Sequence, residues 1–313
     1  MLLTMLVSHA ALAQAWPSRP VRLLVPFAAG AGTNDIMARL VGQHLGARLG
    51  QPVVIENRPG AGGIAGTEAA AKAAPDGYTF LMTNVSLVIS PYLYSKLPYD
   101  PQKDFVPVTL VATAPLMLVA HPSVAAKSVQ ELIALAKANP GRLTYGSGGV
   151  GSTPHLAGEL FKSLAGIDVL HVPYKGGAPA LNDLIGGQLS FMIENVPGTM
   201  PFAKAGKLRA LAVTSAKRSS LDPALPTMAE AGVPGYEVVG WNGIVAVAGT
   251  PPAIVARLQA ETANVLRLPE VRERLVTLGA EAVGGTQEEF AAFMRAEDAL
   301  WGQIIREKGI RSQ

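Results

Sequence analysis

The chain contains no cysteine. That absence excludes disulfide frameworks, thiolate metal sites and cysteine nucleophiles together. Charge is also scarce, at 16% of 313 residues, and 26 Lys and Arg against 23 Asp and Glu leave a net charge of only +3 with no stretch that concentrates the cations. A nucleic-acid surface needs such a stretch, so no nucleic-acid partner is expected. The five histidines, His9, His44, His121, His155 and His171, offer neither an i, i+4 pair nor a His-Glu-x-x-His pattern, and no metal or cofactor is expected. Aromatic residues are 6% of the chain. The core must then be built from Ala, Val, Leu and Ile, the side chains that fill parallel strands and the helices over them.

What is present starts with Met1 to Ala15, an apolar run that closes on Ala13-Gln14-Ala15. An Ala-x-Ala ending marks a secretory signal, residues 1–15 of this chain, and predicts a mature periplasmic protein from Trp16. The first basic residue is Arg19, so the charged opening of such a signal is missing and the true start is expected upstream. A buried N-terminal helix is the alternative. No other apolar run reaches the roughly 18 residues of a membrane span.

From Trp16 onward a short apolar run, a Gly-rich turn and an amphipathic segment recur, which is the βα alternation of a sheet covered by helices. Strands are expected at Val21–Val25, Pro52–Glu56 and Tyr78–Thr83, with a helix from Thr33 or Asn34 whose apolar stripe is Ile36, Met37, Leu40, Val41, Leu45 and Leu49. Val106 to Ala120 reads as two β-like runs broken at Ala114-Pro115. Ser128 and Glu131 then form a capping box opening a second βα series. Its strands are expected at Leu143–Gly146, Asp168–Val172, Gln188–Ile193 and Leu208–Thr214, with helices starting near Thr153, Ala178 and Thr199. Tyr236 to Ala248 reads as extended, and three helices follow, the last capped by Thr286 and Glu289. These helices need a sheet to cover, so the chain is expected to return to its first unit. The predicted fold is α/β with two lobes, each a mixed sheet flanked by helices, hinged by two crossing segments. Lobe 1 takes residues 16–118 and 242–313, and lobe 2 takes 119–241.

Three Gly-rich loops precede helix starts: Phe27 to Thr33, Pro59 to Gly63 and Gly146 to Thr153. Free N–H groups and the positive end of the helix dipole make each an anion cradle, although glycine in such turns also serves purely steric needs. Gly146-Ser147-Gly148-Gly149-Val150-Gly151 satisfies Gly-x-Gly-x-x-Gly but has no acidic residue about 20 positions on at a strand end, so it is not read as a dinucleotide site. Neither Ser147 nor Ser152 is the centre of a Gly-x-Ser-x-Gly elbow, yet an exported hydrolase using one of them stands as the rival reading. His155 is expected to be a half-buried helix residue bonded to a nearby loop. Lys175 is either a charge partner for an anion or a solvated loop lysine, and Trp241 and Asn242 fall on the second crossing.

These residues resemble a family, the substrate-binding receptors of tripartite tricarboxylate transporters, or Bug family. The resemblance is carried by Arg19-Pro20-Val21-Arg22, Val25-Pro26-Phe27, Leu49 to Gly63, Pro75-Asp76-Gly77-Tyr78-Thr79, His171-Val172-Pro173-Tyr174-Lys175-Gly176, Ala205 to Ala212 and Trp241-Asn242-Gly243. It spans nearly all of the chain after Trp16. It implies a type II-like periplasmic-binding fold that holds a small carboxylate, an organic acid or amino acid, largely through backbone N–H groups, without enzymatic activity. The implied partners are the membrane subunits of a tripartite transporter, with a sensing role as the alternative, and the implied state is a monomer. Carried over by position, the ligand wall is Phe27, Ala28, Gly30, Gly62 and Gly63 on the first lobe and Ser147, Ser152, Thr153, Gly176 and Ala178 on the second. Two positions depart from the family pattern. Ala31 separates Gly30 from Gly32, lengthening the first loop by one residue, and Glu194-Asn195 stands where an Asp is common.

Overall fold

In the computed structural model, residues 16–30, 32–174, 176–219 and 221–311 are described. The expected signal segment and Lys175 lie outside them.

The first βα series folds as expected. β1 (Val21–Val25), β2 (Val53–Asn57) and β3 (Thr79–Thr83) are parallel with β1 central, joined by α1 (Gly32–Leu49) and α2 (Ile64–Ala71). Met37, Val41, Leu45 and Leu49 of the α1 stripe are buried, as the spacing requires. After β3 comes α3 (Ser86–Leu93), which the sequence reading left out. Five of its eight residues are buried and Pro91 lies inside it, so it carries no polar face to announce it.

β4 (Phe105–Ala120) corrects the expected break at Ala114-Pro115. It is one strand of 16 residues that belongs to both sheets. Residues Phe105 to Pro115 pair antiparallel with β9 (Val239–Val247), which also pairs with β3; Leu116 to Ala120 pair with β7 (Phe191–Asn195) and Met117 to Ala120 with β8 (Arg209–Val213). Pro115 has no N–H to give a ladder, so the strand changes partners at that residue without losing a hydrogen bond. The next N–H, of Leu116, is taken by the buried Thr214 hydroxyl at 2.8 Å.

The second series contains α4 (Val129–Ala138), β5 (Thr144–Ser147), α5 (Thr153–Ala165), β6 (Leu170–Pro173), α6 (Gly177–Ile185) and, after β7, α7 (Val196–Lys204). β5 is parallel to β6 and β7. Ser128 caps α4 by accepting from Glu131 N, but the Glu131 carboxylate reaches back to the Lys127 N–H instead of to Ser128, so the expected box closes one residue early. The chain then returns to the first sheet, with α8 (Pro252–Leu266), α9 (Pro269–Thr277), a two-residue β10 (Glu281–Ala282) beside β4, and α10 (Gln287–Glu307). Thr286 and Glu289 close a full capping box on α10.

Apolar packing is distributed in three clusters. One fills the space between the first sheet and α1, α8 and α9; one lies among β7, β8, α6 and α7. The largest runs across both sheets, through Leu24, Leu116, Leu118, Phe191, Trp241 and Ile305. Within it both Trp241 Nε1 and Trp301 Nε1 donate to the buried Glu297 carboxyl, at 2.7 and 3.0 Å, and this fastens α10 to β9.

Candidate functional site

The expected ligand residues sit on two rims, each at the carboxyl ends of parallel strands, where open α/β sheets place their ligands. On the first rim, the turn after β1 exposes Ala28 and Gly30 and half-buries Phe27. Its shape is set by Asp35 in the first turns of α1. The buried Asp35 carboxylate accepts from Gly30 N at 2.8 Å, Arg39 Nε at 2.9 Å and Asn57 Nδ2 at 2.8 Å, and Asn57 Nδ2 also reaches Phe27 O at 3.0 Å. Burial pushes the Asp35 carboxyl up, but Arg39, the Gly30 N–H and Asn57 outweigh it and hold it down at about 2. Gly30 therefore contributes the bend, at φ 71°, while its N–H is spent inside the protein.

The turn after β2 holds four consecutive residues at positive φ, Gly60, Ala61, Gly62 and Gly63. Three glycines make that run affordable in conformational terms. Gly62 is exposed at the rim. Gly63 is buried beneath it, with its N–H donating to Gly60 O at 2.9 Å, and a Cβ there would come within 3.3 Å of the Phe27 ring.

On the second rim the structure brings the 147–153 and 174–178 segments together. Tyr174 N donates to Ser147 O at 3.0 Å and Gly176 N to Gly148 O at 3.2 Å, and Gly148 lies so close to Gly177 that a Cβ would meet its nitrogen at 3.2 Å. Gly176, Ser152 and Thr153 are half-buried and Ala178 is exposed. Ser152 caps α5, accepting from His155 N while its Oγ donates to Gly149 O at 2.7 Å.

Ser147 is placed differently from the expectation. It is 0% exposed, and its Oγ lies 2.7 Å from His171 Nε2 and 3.2 Å from both Gly149 N and Gly149 O. It supports the turn from below and does not face the opening. His155 Nδ1 accepts from Gly151 N at 3.0 Å, as a loop-holding histidine should. The two imidazoles stack with centroids 4.0 Å apart, and His171 stacks in turn on Tyr145 at 4.8 Å. Burial, with His155 next to it, pushes His171 down to about 4; burial likewise lowers His155. Both rings are neutral near pH 7, as Gly151's acceptor must be.

This arrangement tests the hydrolase reading. Ser147 and His171 have the spacing of a nucleophile and its base, but the hydroxyl is 0% exposed and already shared with Gly149, and the Glu159 carboxylate is committed to Tyr145 Oη at 2.7 Å and Lys162 at 2.8 Å. Ser152 has no imidazole nitrogen on its Oγ.

The end of α3 joins the rims. A Cβ on Gly62 would lie 2.8 Å from Tyr94 Oη, and one on Gly151 would lie 2.7 Å from Leu93 Cδ1. Neighbouring residues thus touch one glycine turn from each sheet. Sequence reasoning passed over both because α3 itself was not foreseen. A cavity of about 810 Å³ lies between α3, the 94–107 segment and α10, lined among others by Tyr92, Tyr99, Met294 and Arg295. Of Leu93, Tyr94 and the rim residues, only Tyr94 borders it. No group of metal-ligating side chains occurs among the described residues, and none of their helices is long and apolar enough to cross a membrane.

The model of the tripartite tricarboxylate transporter family receptor matches residues 37–310. The chain belongs to that family. BugT of Bordetella pertussis is 40% identical over 301 residues, 96% of this chain and 92% of BugT. A Rhodopseudomonas palustris protein solved with adipate is 41% identical, covering 95% of this chain and 100% of that one, with a TM-score of 0.81. MatC of the same organism, solved with bound malate, is 34% identical over 93% of this chain and 100% of MatC, with a TM-score of 0.76. The two-sheet architecture of this receptor is accordingly the two-lobed periplasmic-binding fold. Family members are periplasmic solute receptors and not enzymes, which removes the hydrolase reading.

Proposed function

We propose that the receptor is exported after removal of residues 1–15, closes over a small carboxylate between lobe 1 (16–118 and 242–313) and lobe 2 (119–241), and delivers it to the membrane subunits of a tripartite transporter. The observation that carries the ligand class is the adipate-bound relative, 41% identical along 95% of this chain. The rims support it. Both end in glycine turns, and Leu93 and Tyr94 touch one turn from each. In this reading Phe27, Ala28, Gly30 and Gly62 line one wall and Ser152, Thr153, Gly176 and Ala178 the other, with Gly63 and Ser147 shaping the turns from within. On the same reading the hinge lies where β4 passes between the sheets after Pro115 and where the chain enters β9 before Asn242.

The test is a melting screen of the receptor, unfolded and refolded first to strip resident ligand, against dicarboxylates, tricarboxylates and amino acids. A ligand at 100 times its Kd adds about 2.7 kcal/mol, a shift of several degrees in a chain of this size. A flat response across all carboxylates overturns the ligand class. Export is checked separately by mass spectrometry, which should find a native chain beginning at Trp16.

A further inference from the structure

Asn34 and Asn242 lie 208 residues apart in the chain and meet at the carboxyl edge of the first sheet. Asn34 stands in the first turn of α1, just past the loop that leaves β1. On β9, Gly243 pairs with Thr83, the last residue of β3, so Asn242 falls one position beyond that strand's end, level with the turn into α3. Both side chains are buried, at 3% and 5% exposure. Asn242 Nδ2 donates to Asn34 Oδ1 at 2.9 Å. This uses the acceptor of Asn34 and leaves its Nδ2 buried with no hydrogen-bond partner among the described residues.

Folded proteins rarely tolerate a buried amide donor unmade, because its desolvation is not repaid. An unmet donor at this edge of the sheet calls for an oxygen acceptor supplied from the cleft. The neighbouring backbone cannot do all the holding on this rim, since the N–H groups of Gly30 and Gly63 are already engaged within their own turns. We propose that Asn34 Nδ2 is a ligand-binding donor that hydrogen-bonds a carboxylate oxygen of the bound acid. The inference rests on the carboxylate-receptor reading and adds to it a side-chain contact from the first lobe. A neutral amide is well suited to that contact, because it discriminates by geometry and leaves the charge of the ligand to the helix ends and the backbone.

The test uses N34D and N34T in the full-length receptor, titrated calorimetrically with adipate and malate beside the wild type. N34D keeps an oxygen to accept from Asn242 and replaces the donor by a repelling oxygen, but it buries a second carboxylate beside Asp35 and is therefore expected to be less stable. N34T removes the amide and carries the test alone if N34D does not fold. The expected result is an unliganded melting point within a few degrees of wild type for N34T and a lower one for N34D. Affinity should fall at least tenfold for N34D, about 1.4 kcal/mol, and three- to tenfold for N34T. A folded N34D or N34T that binds as tightly as wild type overturns the inference while leaving the receptor reading intact. A wild-type protein that binds no acid of the full carboxylate screen overturns the receptor reading, and the inference with it.

Discussion

Asp35 and His171 do comparable work on opposite rims, since each accepts or shares hydrogen bonds with the turn that carries the glycines, but they do it in opposite electrical states. The first rim is drawn together by an ionised carboxylate that gathers Gly30, Arg39 and Asn57. The second rests on neutral imidazoles stacked against each other and against Tyr145. A charged anchor holds its turn tightly and tolerates acid; a neutral aromatic column holds by shape and hydrogen bonding and must fail when a ring gains a proton. One receptor thus contains a firm wall and a yielding one.

The sharpest way to break this comparison is to remove the charged anchor. D35A leaves Gly30 N, Asn57 Nδ2 and Arg39 without their common acceptor, and an expected loss of about 2 to 4 kcal/mol in urea unfolding follows from losing several bonds to one buried charge. A loss below about 1 kcal/mol would show that the two rims are anchored alike.

Acid should separate the rims next. His171 titrates near 4 in the folded chain and near 6.5 unfolded, so its contribution is complete above pH 6.5 and lost as pH falls through about 4. Asp35 behaves the other way round in charge but loses its contribution at lower pH, from the ordinary 3.8 down to about 2. Amide hydrogen exchange at decreasing pH should therefore open Gly149 and Gly151 before Gly30, once the intrinsic pH dependence is corrected. Simultaneous opening would contradict the assignment of anchors.

Two smaller effects sharpen the second rim. S147A removes the hydroxyl between His171 and Gly149, with an expected cost of about 1 kcal/mol measured by denaturant midpoint. S152A removes the cap of α5 and should cost about 0.5 to 1 kcal/mol, at the low end because its bond from His155 N is long at 3.4 Å. If S152A proved the costlier of the two, the column beneath Ser147 would not be what holds the turn.

Much of the architecture is legible in the sequence because its signals are local. The apolar stripe of α1, the Ser128 and Thr286 caps and the βα rhythm each depend on residues within one or two turns of one another. α3 escapes because a helix buried on most sides has no polar face and Pro91 argues against it. The unity of β4 escapes because Pro115 ends a strand in most settings, and only the arrival of the second sheet at the same residue lets it continue. The site follows the same division. Glycine turns show their positions directly, whereas the inward rotation of Ser147 depends on His171, 24 residues on, and the pairing of Asn34 with Asn242 on closure of the whole first sheet.

The sharing of β4 has a consequence for how the molecule can be taken apart. Because the chain passes between the sheets twice, through β4 and again before β9, one cut by a protease in any exposed loop leaves the sheets still covalently tied through the other passage. Expressing residues up to the end of β4 alone would strip that strand and β3 of β9, exposing one long and one short apolar edge that pair readily with other chains. The first half therefore cannot complete its sheet from the residues that precede the second, because β9 arrives only after the second half has been made, and any insertion that enlarges one half must leave both passages intact.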